Sequence, residues 1–198
     1  MKTLPYELHV TVKPDGEEAK RRFVDICADL GVKALFITNI SRKGSTTHEL
    51  LTADQLTDWQ PAAKSRLAET SAKLREGGLS VMRSKIETVP WHEAASGLNV
   101  ARYFESHHKV DPGVFDIGEV VRRAAASDLH VSTVENLQTC TARVFATHRL
   151  YRGSLARFSL SNQIAVNALS DAFTVEEGDI EYALFDDNPD HDIQWMQS

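Results

Sequence analysis

The stretch Glu7-Leu-His9-Val-Thr-Val12-Lys-Pro14 recurs in the second half of the chain as Glu105-Ser-His107-His-Lys-Val110-Asp-Pro112. The two copies share Glu, His, Val and Pro at the same spacing. Two further pairs follow in the same order, Asp29-Leu30 with Asp128-Leu129 and Thr47-His48 with Thr147-His148. Ordered matches at nearly constant spacing indicate an internal duplication, and a repeat of this kind organises a whole fold.

The composition is that of a globular protein without a nucleic-acid or membrane signature. The 198 residues include 22 Lys and Arg against 28 Asp and Glu, with 42% hydrophobic residues. The negative balance argues against general nucleic-acid binding, and Cys27 and Cys140 are too few for a disulfide scaffold. Because neither a secretory signal nor a membrane-length apolar stretch is evident, we expect a cytoplasmic protein.

Each half has the same order of predicted elements. Apolar and polar residues alternate between Tyr6 and Val12, which is typical of a strand with one buried face. An amphipathic helix then ends before Gly31. The remaining predicted elements of the first half are strands over 33–40 and 46–52, a helix over 61–76 and a strand over 80–89. Those of the second half are 103–110, 116–127, 130–136, 142–152, 154–173 and 179–185.

Strand, helix, strand, strand, helix, strand is the order of a ferredoxin-like module. The sequence therefore predicts an α+β fold of two tandem ferredoxin-like (βαββαβ) modules, with antiparallel sheets and helices on one face. We expect the first module over 1–91, a linker over 92–102, and the second module over 103–198 with an acidic C-terminal tail. Two such modules with their open sheet faces together would enclose a pocket.

The open face of each predicted sheet carries ionisable residues. Since the apolar residues of the first strand must face the helices, Glu7, His9 and Thr11 point to the open side. The same alternation places Glu105, His107 and Lys109 on the open side of the second half. The neighbouring strands offer His48, Glu87, His148 and Glu181. His148 could instead point into the core, and Arg149 alternates opposite to it.

Two histidines across a substrate can act as general acid and base near neutral pH. Our first interpretation is an enzyme acting on a small anionic substrate, with phosphoester hydrolysis as the leading reaction. His9 and His107 would be the acid–base pair and Glu7 and Glu105 would orient them. The substrate-binding candidates are Lys109 and Thr11, of which the lysine would bind the anion.

Two other interpretations remain open. Histidines and carboxylates together can hold a catalytic zinc, iron or manganese ion, for which the candidate ligands are His9, His48, Glu87, His107, His148 and Glu181. Alternatively, the pocket serves a non-catalytic protein that binds a small molecule, or the sheet faces form a scaffold for a homodimer.

The segment His9-Val-Thr-Val12 resembles the His-x-Thr signature of the two-histidine phosphoesterases. That resemblance implies paired modules around a central cleft and cleavage of 2′,3′-cyclic or related phosphodiesters. It covers four residues and the duplicated layout, and the second half has His107-His-Lys109 where a second His-x-Thr belongs. The paired modules are also similar to vicinal-oxygen-chelate metalloenzymes, in which each module supplies metal ligands, although those modules lack the second helix.

Overall fold

A computed structural model describes residues 5–57, 60–92 and 103–192, and within these ranges the chain forms nine strands and four helices. The strands are β1 (Tyr6–Val12), β2 (Lys33–Ile40), β3 (Thr46–Leu56), β4 (Val81–Thr88), β5 (Phe104–Asp111), β6 (His130–Asn136), β7 (Thr141–Leu150), β8 (Thr174–Glu176) and β9 (Ile180–Asp186). The helices are α1 (Gly16–Leu30), α2 (Gln60–Glu76), α3 (Ile117–Ala126) and α4 (Leu155–Ser170).

The strands form a single closed antiparallel sheet. Their order is β7-β6-β2-β3-β1-β4-β9-β5, and β5 pairs back with β7 to complete an eight-stranded barrel. Strand β5 pairs with β9 through its first residues and with the short strand β8 through its last residues. The prediction of two tandem ferredoxin-like modules, each with its own open sheet, is therefore wrong.

Two strand pairings between the halves close the barrel. Strand β2 pairs with β6 from Leu35 opposite Asn136 to Ile40 opposite Val131, and β4 pairs with β9 over a shorter stretch. Each pairing satisfies main-chain groups that would otherwise lie exposed along a sheet edge. Within the ring, the strands of each half remain neighbours, as β2-β3-β1-β4 and β6-β7-β5-β9.

Two large hydrophobic cores lie between the outside of the barrel and the helices, and a third, smaller one is formed by Phe104, Phe158 and Tyr182. On the first, Phe23 and Cys27 of α1 and Leu74 of α2 pack with Leu8 and Val10 of β1. On the second, buried residues of α3 and α4 pack with β5, β6 and β7; they include Val110, Val120, Ala124, Val131, Ala146, Ala165 and Leu169. Full burial of an aliphatic or phenyl side chain contributes about 1.5–3 kcal/mol. These cores determine which residues of each strand face the helices, and the alternate residues must then face the barrel interior.

Residue-specific signals set the ends of the helices. Gly31 ends α1 in the left-handed conformation, at φ 68°. The side chain of Asp116 accepts a hydrogen bond from the main-chain N–H of Glu119 at the start of α3, and Ser154 caps α4 in the same way. In the described ranges, no helix combines the length and apolar character needed to cross a bilayer.

The predicted division at residues 91 and 103 remains a prediction. Residues 93–102 of the expected linker and residues 193–198 of the expected tail lie outside the described residues. The acidic segment before them is described and returns to the barrel, where Asp186 and Asp192 are buried. The cytoplasmic location and the homodimer also remain predictions.

Candidate functional site

The barrel contains a cavity of about 290 Å³ that is partly open to solvent. The odd-numbered residues Glu7, His9 and Thr11 of β1 line it, because the even-numbered residues of this strand face the helices. His107 of β5 and Glu181 of β9 lie on the same wall. The volume is close to the lower end of the range for small-ligand pockets, roughly 300–1,000 Å³.

The cavity wall is divided chemically. Strands β2, β3, β6 and β7 supply most of its apolar part, which includes Leu35, Ile37, Leu51, Ala53, Val134 and Phe145. Strands β1, β4, β5 and β9 supply most of its ionisable part, which includes Glu7, His9, Arg83, Lys85, His107 and Glu181. An occupant with one apolar and one polar end would match both parts.

His9 is held as a neutral hydrogen-bond acceptor toward the cavity. Its Nδ1 lies 3.0 Å from the carbonyl oxygen of Thr52, and since a carbonyl only accepts, Nδ1 carries the proton. The Nε2 atom therefore has a lone pair, 3.8 Å from Glu7 and 3.5 Å from Glu87. Burial and the ammonium group of Lys85 lower the pKa of His9 to about 4. Burial also raises the pKa of Glu87 well above its usual range.

His107 has the matching position on β5 but a different protonation preference. Its Nδ1 lies 2.8 Å from the hydroxyl oxygen of Thr147, and its Nε2 lies 3.7 Å from both Glu105 and Glu181. Burial lowers the pKa of His107, but the nearby carboxyl groups of Glu105 and Glu181 outweigh it, and the net shift is upward. Burial raises the pKa of Glu181 to about 7.

Lys85 and Arg149 converge on one buried carboxylate. Lys85 Nζ lies 2.6 Å from Glu87 and 2.5 Å from Glu105, and Arg149 Nη2 lies 2.5 Å from the second oxygen of Glu105. Burial opposes the ionisation of Glu105, but Arg149 and Lys85 hold its pKa well below the usual range. Both cations are therefore already neutralised by protein carboxylates.

Arg83 joins β4 to the segment that follows β9. Its guanidinium lies 2.6 Å from Asp186 and 2.8 Å from Asp192, and donates a hydrogen bond to the hydroxyl of Tyr103 at 2.8 Å. Asp192 also contacts Arg149. Burial alone would raise the pKa of Asp192, but Arg149 and Arg83 hold it well below the usual range. The returning acidic segment thus forms part of the cavity wall through a buried ion-pair network.

The structure brings together most of the residues that the sequence singled out. The residues on or directly behind the cavity wall are Glu7, His9, Thr11, Glu87, Glu105, His107 and Glu181. Their catalytic, substrate-binding and metal-ligating roles remain predictions.

Two of the predicted histidines lie on the other side of the sheet. His48 is exposed, stacks on Phe36 with a centroid separation of 5.4 Å, and has its Nδ1 3.1 Å from the hydroxyl of Thr38. His148 is buried and stacks on Phe158 of α4 at 5.0 Å. The expected approach of these histidines to the pocket is not seen, because odd-numbered residues of β3 and β7 face the interior.

Lys109 also lies away from the cavity wall. It is exposed near the end of β5, and its Nζ lies 2.6 Å from Glu176 of β8. It lines a separate surface groove with Arg143. The predicted anion-binding lysine is therefore not beside His9 and His107.

Sequence reasoning missed much of the ion-pair network. His148 faces the helices, so the next residue of the strand, Arg149, points to the opposite side and lies on the cavity wall. On β4, the alternation of Arg83, Lys85 and Glu87 could have indicated one interior face. Asp192 reaches the wall through the path of the chain after β9, for which no local sequence signal exists.

Two groups of side chains in the described ranges bring potential metal ligands within 4.8 Å of one another. They are Glu105, His107 and Glu181, and Glu49, His191 and Asp192. Each includes a carboxylate that already neutralises buried cations, since Glu105 contacts Lys85 and Arg149, and Asp192 contacts Arg83 and Arg149. A metal ion in either group would compete with those ion pairs.

No protein family model matches the chain, and no curated protein matches it. Among solved structures, the regulatory subunit of aspartate kinase from Thermus thermophilus overlaps with a TM-score of 0.35 at 15% identity, covering 87% of this chain and 95% of that one. The small subunit of acetolactate synthase from Thermotoga maritima overlaps with a TM-score of 0.33 at 12% identity, covering 90% and 96%. Overlaps at this level carry no inference about function.

Proposed function

We propose that this chain is a small-molecule-binding protein whose ligand occupies the barrel interior. The observation that carries the proposal is the cavity inside the barrel, with its apolar and ionisable parts. A closed sheet holds both parts on strands, so that the wall is formed before any ligand arrives. Preorganisation of this kind lowers the entropic cost of binding.

Phosphoester hydrolysis, the first expectation from the sequence, has less support. A phosphate needs cationic partners, but Arg83, Lys85 and Arg149 each contact two carboxylates of the protein. A general base works best with a pKa near the operating pH, and the pKa of His9, one member of the expected acid–base pair, is lowered to about 4. Non-catalytic binding requires neither a free cation nor a tuned base.

The binding proposal is tested with 2-naphthol, a neutral fluorescent probe, titrated with the full chain. The substitution Ala53→Phe places a phenyl group on the apolar part of the wall. Its matched control is Ala68→Phe on the exposed side of α2. We expect saturable binding by the wild type and by Ala68→Phe, and at least tenfold weaker binding by Ala53→Phe.

Thermal unfolding of each variant verifies that the barrel remains folded. The proposal fails if the wild type shows no saturable binding, or if a folded Ala53→Phe variant binds 2-naphthol as well as the wild type does.

A further inference from the structure

We infer that the ligand is an organic cation, a protonated amine or amidinium group on an apolar body. This inference rests on the proposed binding function. It differs from the anionic substrate that the sequence suggested, and it follows from how the charges around the cavity are paired.

Carboxylates outnumber cations around the cavity. Among the described residues that line it or form ion pairs with its lining, the carboxylates are Glu7, Glu49, Glu87, Glu105, Glu181, Asp186 and Asp192. The permanent cations of the same set are Arg83, Lys85 and Arg149. Protonation of His107 and His191 and the raised pKa values of Glu87 and Glu181 reduce this excess, so the position of the carboxyl groups matters more than their number.

Two of these carboxyl groups, Glu7 and Glu181, face the cavity. Among the described residues, neither Glu7 nor Glu181 has a Lys or Arg nitrogen within 4.0 Å. Glu7 accepts a hydrogen bond from Gln55 Nε2 at 2.9 Å, and its side chain is 30% exposed. Since a carboxylate can accept about four hydrogen bonds, Glu7 retains acceptor positions for a ligand.

His9 adds a neutral acceptor beside these carboxylates. The carbonyl of Thr52 fixes the proton on Nδ1, so Nε2 presents a lone pair. An ammonium group has three N–H donors and no acceptor, which suits a wall of acceptors. A ligand carboxylate or phosphate would instead meet Glu7 and Glu181, and like-charge contacts of this kind disfavour binding.

The apolar part of the wall fits the rest of such a ligand. Leu51 of β3 and Phe145 of β7 both line the cavity, together with aliphatic residues of β2 and β6. Burying an alkyl or aryl group there contributes in proportion to the area removed from water. A phenylalkylamine therefore has the two ends that the wall requires.

The test compares three probes of similar size and different charge: 2-phenylethylamine, 2-phenylethanol and 3-phenylpropanoate. Each displaces 2-naphthol from the wild type and from the variants Glu7→Gln, Glu181→Gln and their combination. Glu176→Gln, at an exposed carboxylate paired with Lys109, is the control. We expect the amine to bind about tenfold more tightly than the alcohol, since a hydrogen bond with a charged partner exceeds a neutral one by roughly this factor.

The carboxylate probe should bind most weakly of the three. The preference for the amine should fall several-fold in each single variant, disappear in the double variant and persist in Glu176→Gln. Equal binding of amine and alcohol, or tighter binding of 3-phenylpropanoate, overturns the inference while 2-naphthol binding preserves the proposed function. If 2-naphthol itself does not bind, both proposals fail.

Discussion

The Nε2 atoms of His9 and His107 each face two carboxylates, yet only His9 has its other ring nitrogen bound to a main-chain carbonyl. The Nδ1 of His107 instead meets a hydroxyl, which can either donate or accept. Lys85 is the second-largest influence on the pKa of His9, after burial, but a minor one on that of His107. Two equivalent places in the barrel therefore hold imidazoles of different charge preference.

Imidazole resonances measured by NMR over a pH series should separate these two histidines. His9 should remain neutral to about pH 5 and titrate near pH 4, because burial and Lys85 lower its pKa to about 4. His107 should titrate above the usual value of 6.5, since Glu105 and Glu181 raise its pKa. The variants His9→Gln and His107→Gln assign the signals. Coincident titration of the two rings would contradict this electrostatic description.

Acidification should destabilise the barrel in part through His130, which lines the cavity. Burial and the charges of Arg42 and Arg149 lower its pKa to about 4, against smaller opposing contributions of Asp128 and Asp192. In the unfolded chain His130 therefore becomes protonated near pH 6.5, whereas in the folded chain it stays neutral until the pH approaches 4. The free energy of unfolding should fall as the pH drops from 7 to 5, with about 1–2 kcal/mol due to this residue.

Urea denaturation of His130→Gln at pH 7 and pH 5 measures that contribution. The pH dependence should be smaller in His130→Gln than in the wild type, whereas His48→Gln, at an exposed histidine, should retain it. An unchanged pH dependence in His130→Gln would show that this ring is protonated in the folded state.

A substitution of Arg83 should lower the stability of the barrel more than most single substitutions do. Arg83→Met leaves Asp186 and Asp192 buried with their shared guanidinium gone. Breaking a buried ion pair from one side costs about 3–5 kcal/mol. Urea denaturation should show that loss, while Arg143→Met, at an exposed arginine, should stay within about 0.5 kcal/mol of the wild type. Similar stability of the two variants would mean that the network is not formed in solution.

Gly178 lies so close to β5 that any larger residue would displace the strand. A Cβ atom added there would lie 2.0 Å from the carbonyl oxygen of His107. Gly178→Ala should therefore lower the melting temperature, with a destabilisation of about 1–3 kcal/mol typical of overpacking. Glu177→Ala, at the exposed neighbouring position, should leave it nearly unchanged. A Gly178→Ala variant as stable as the wild type would argue against the close approach.

Local patterns predicted strands and helices well, but they could not predict how the sheet closes. Alternation in β1 placed Leu8 and Val10 toward the helices, which is where they pack. The pairing of β2 with β6 joins Leu35 to Asn136, more than 100 residues away. Main-chain hydrogen bonds form that pairing, and they leave no side-chain pattern that identifies the partner strand.

The candidate site could be predicted only on strands whose sequence shows which alternate residues face the barrel interior. In β1 the apolar residues alternate cleanly, so the interior position of His9 follows from the pattern. In β7 the residues Val144, Ala146 and His148 share a face, and only the helix side chain Phe158 shows that this face is the outer one. Asp192 depends on the course of the chain after β9, which no periodicity describes.

A crystal structure of the full chain soaked with 2-phenylethylamine would show whether the barrel interior holds an organic cation. We expect a closed barrel with the amine inside it, its nitrogen about 3 Å from an oxygen of Glu7 or Glu181 and its ring against Leu51 and Phe145. Amine density confined to the outer surface, or a barrel open between β2 and β6, would contradict this expectation.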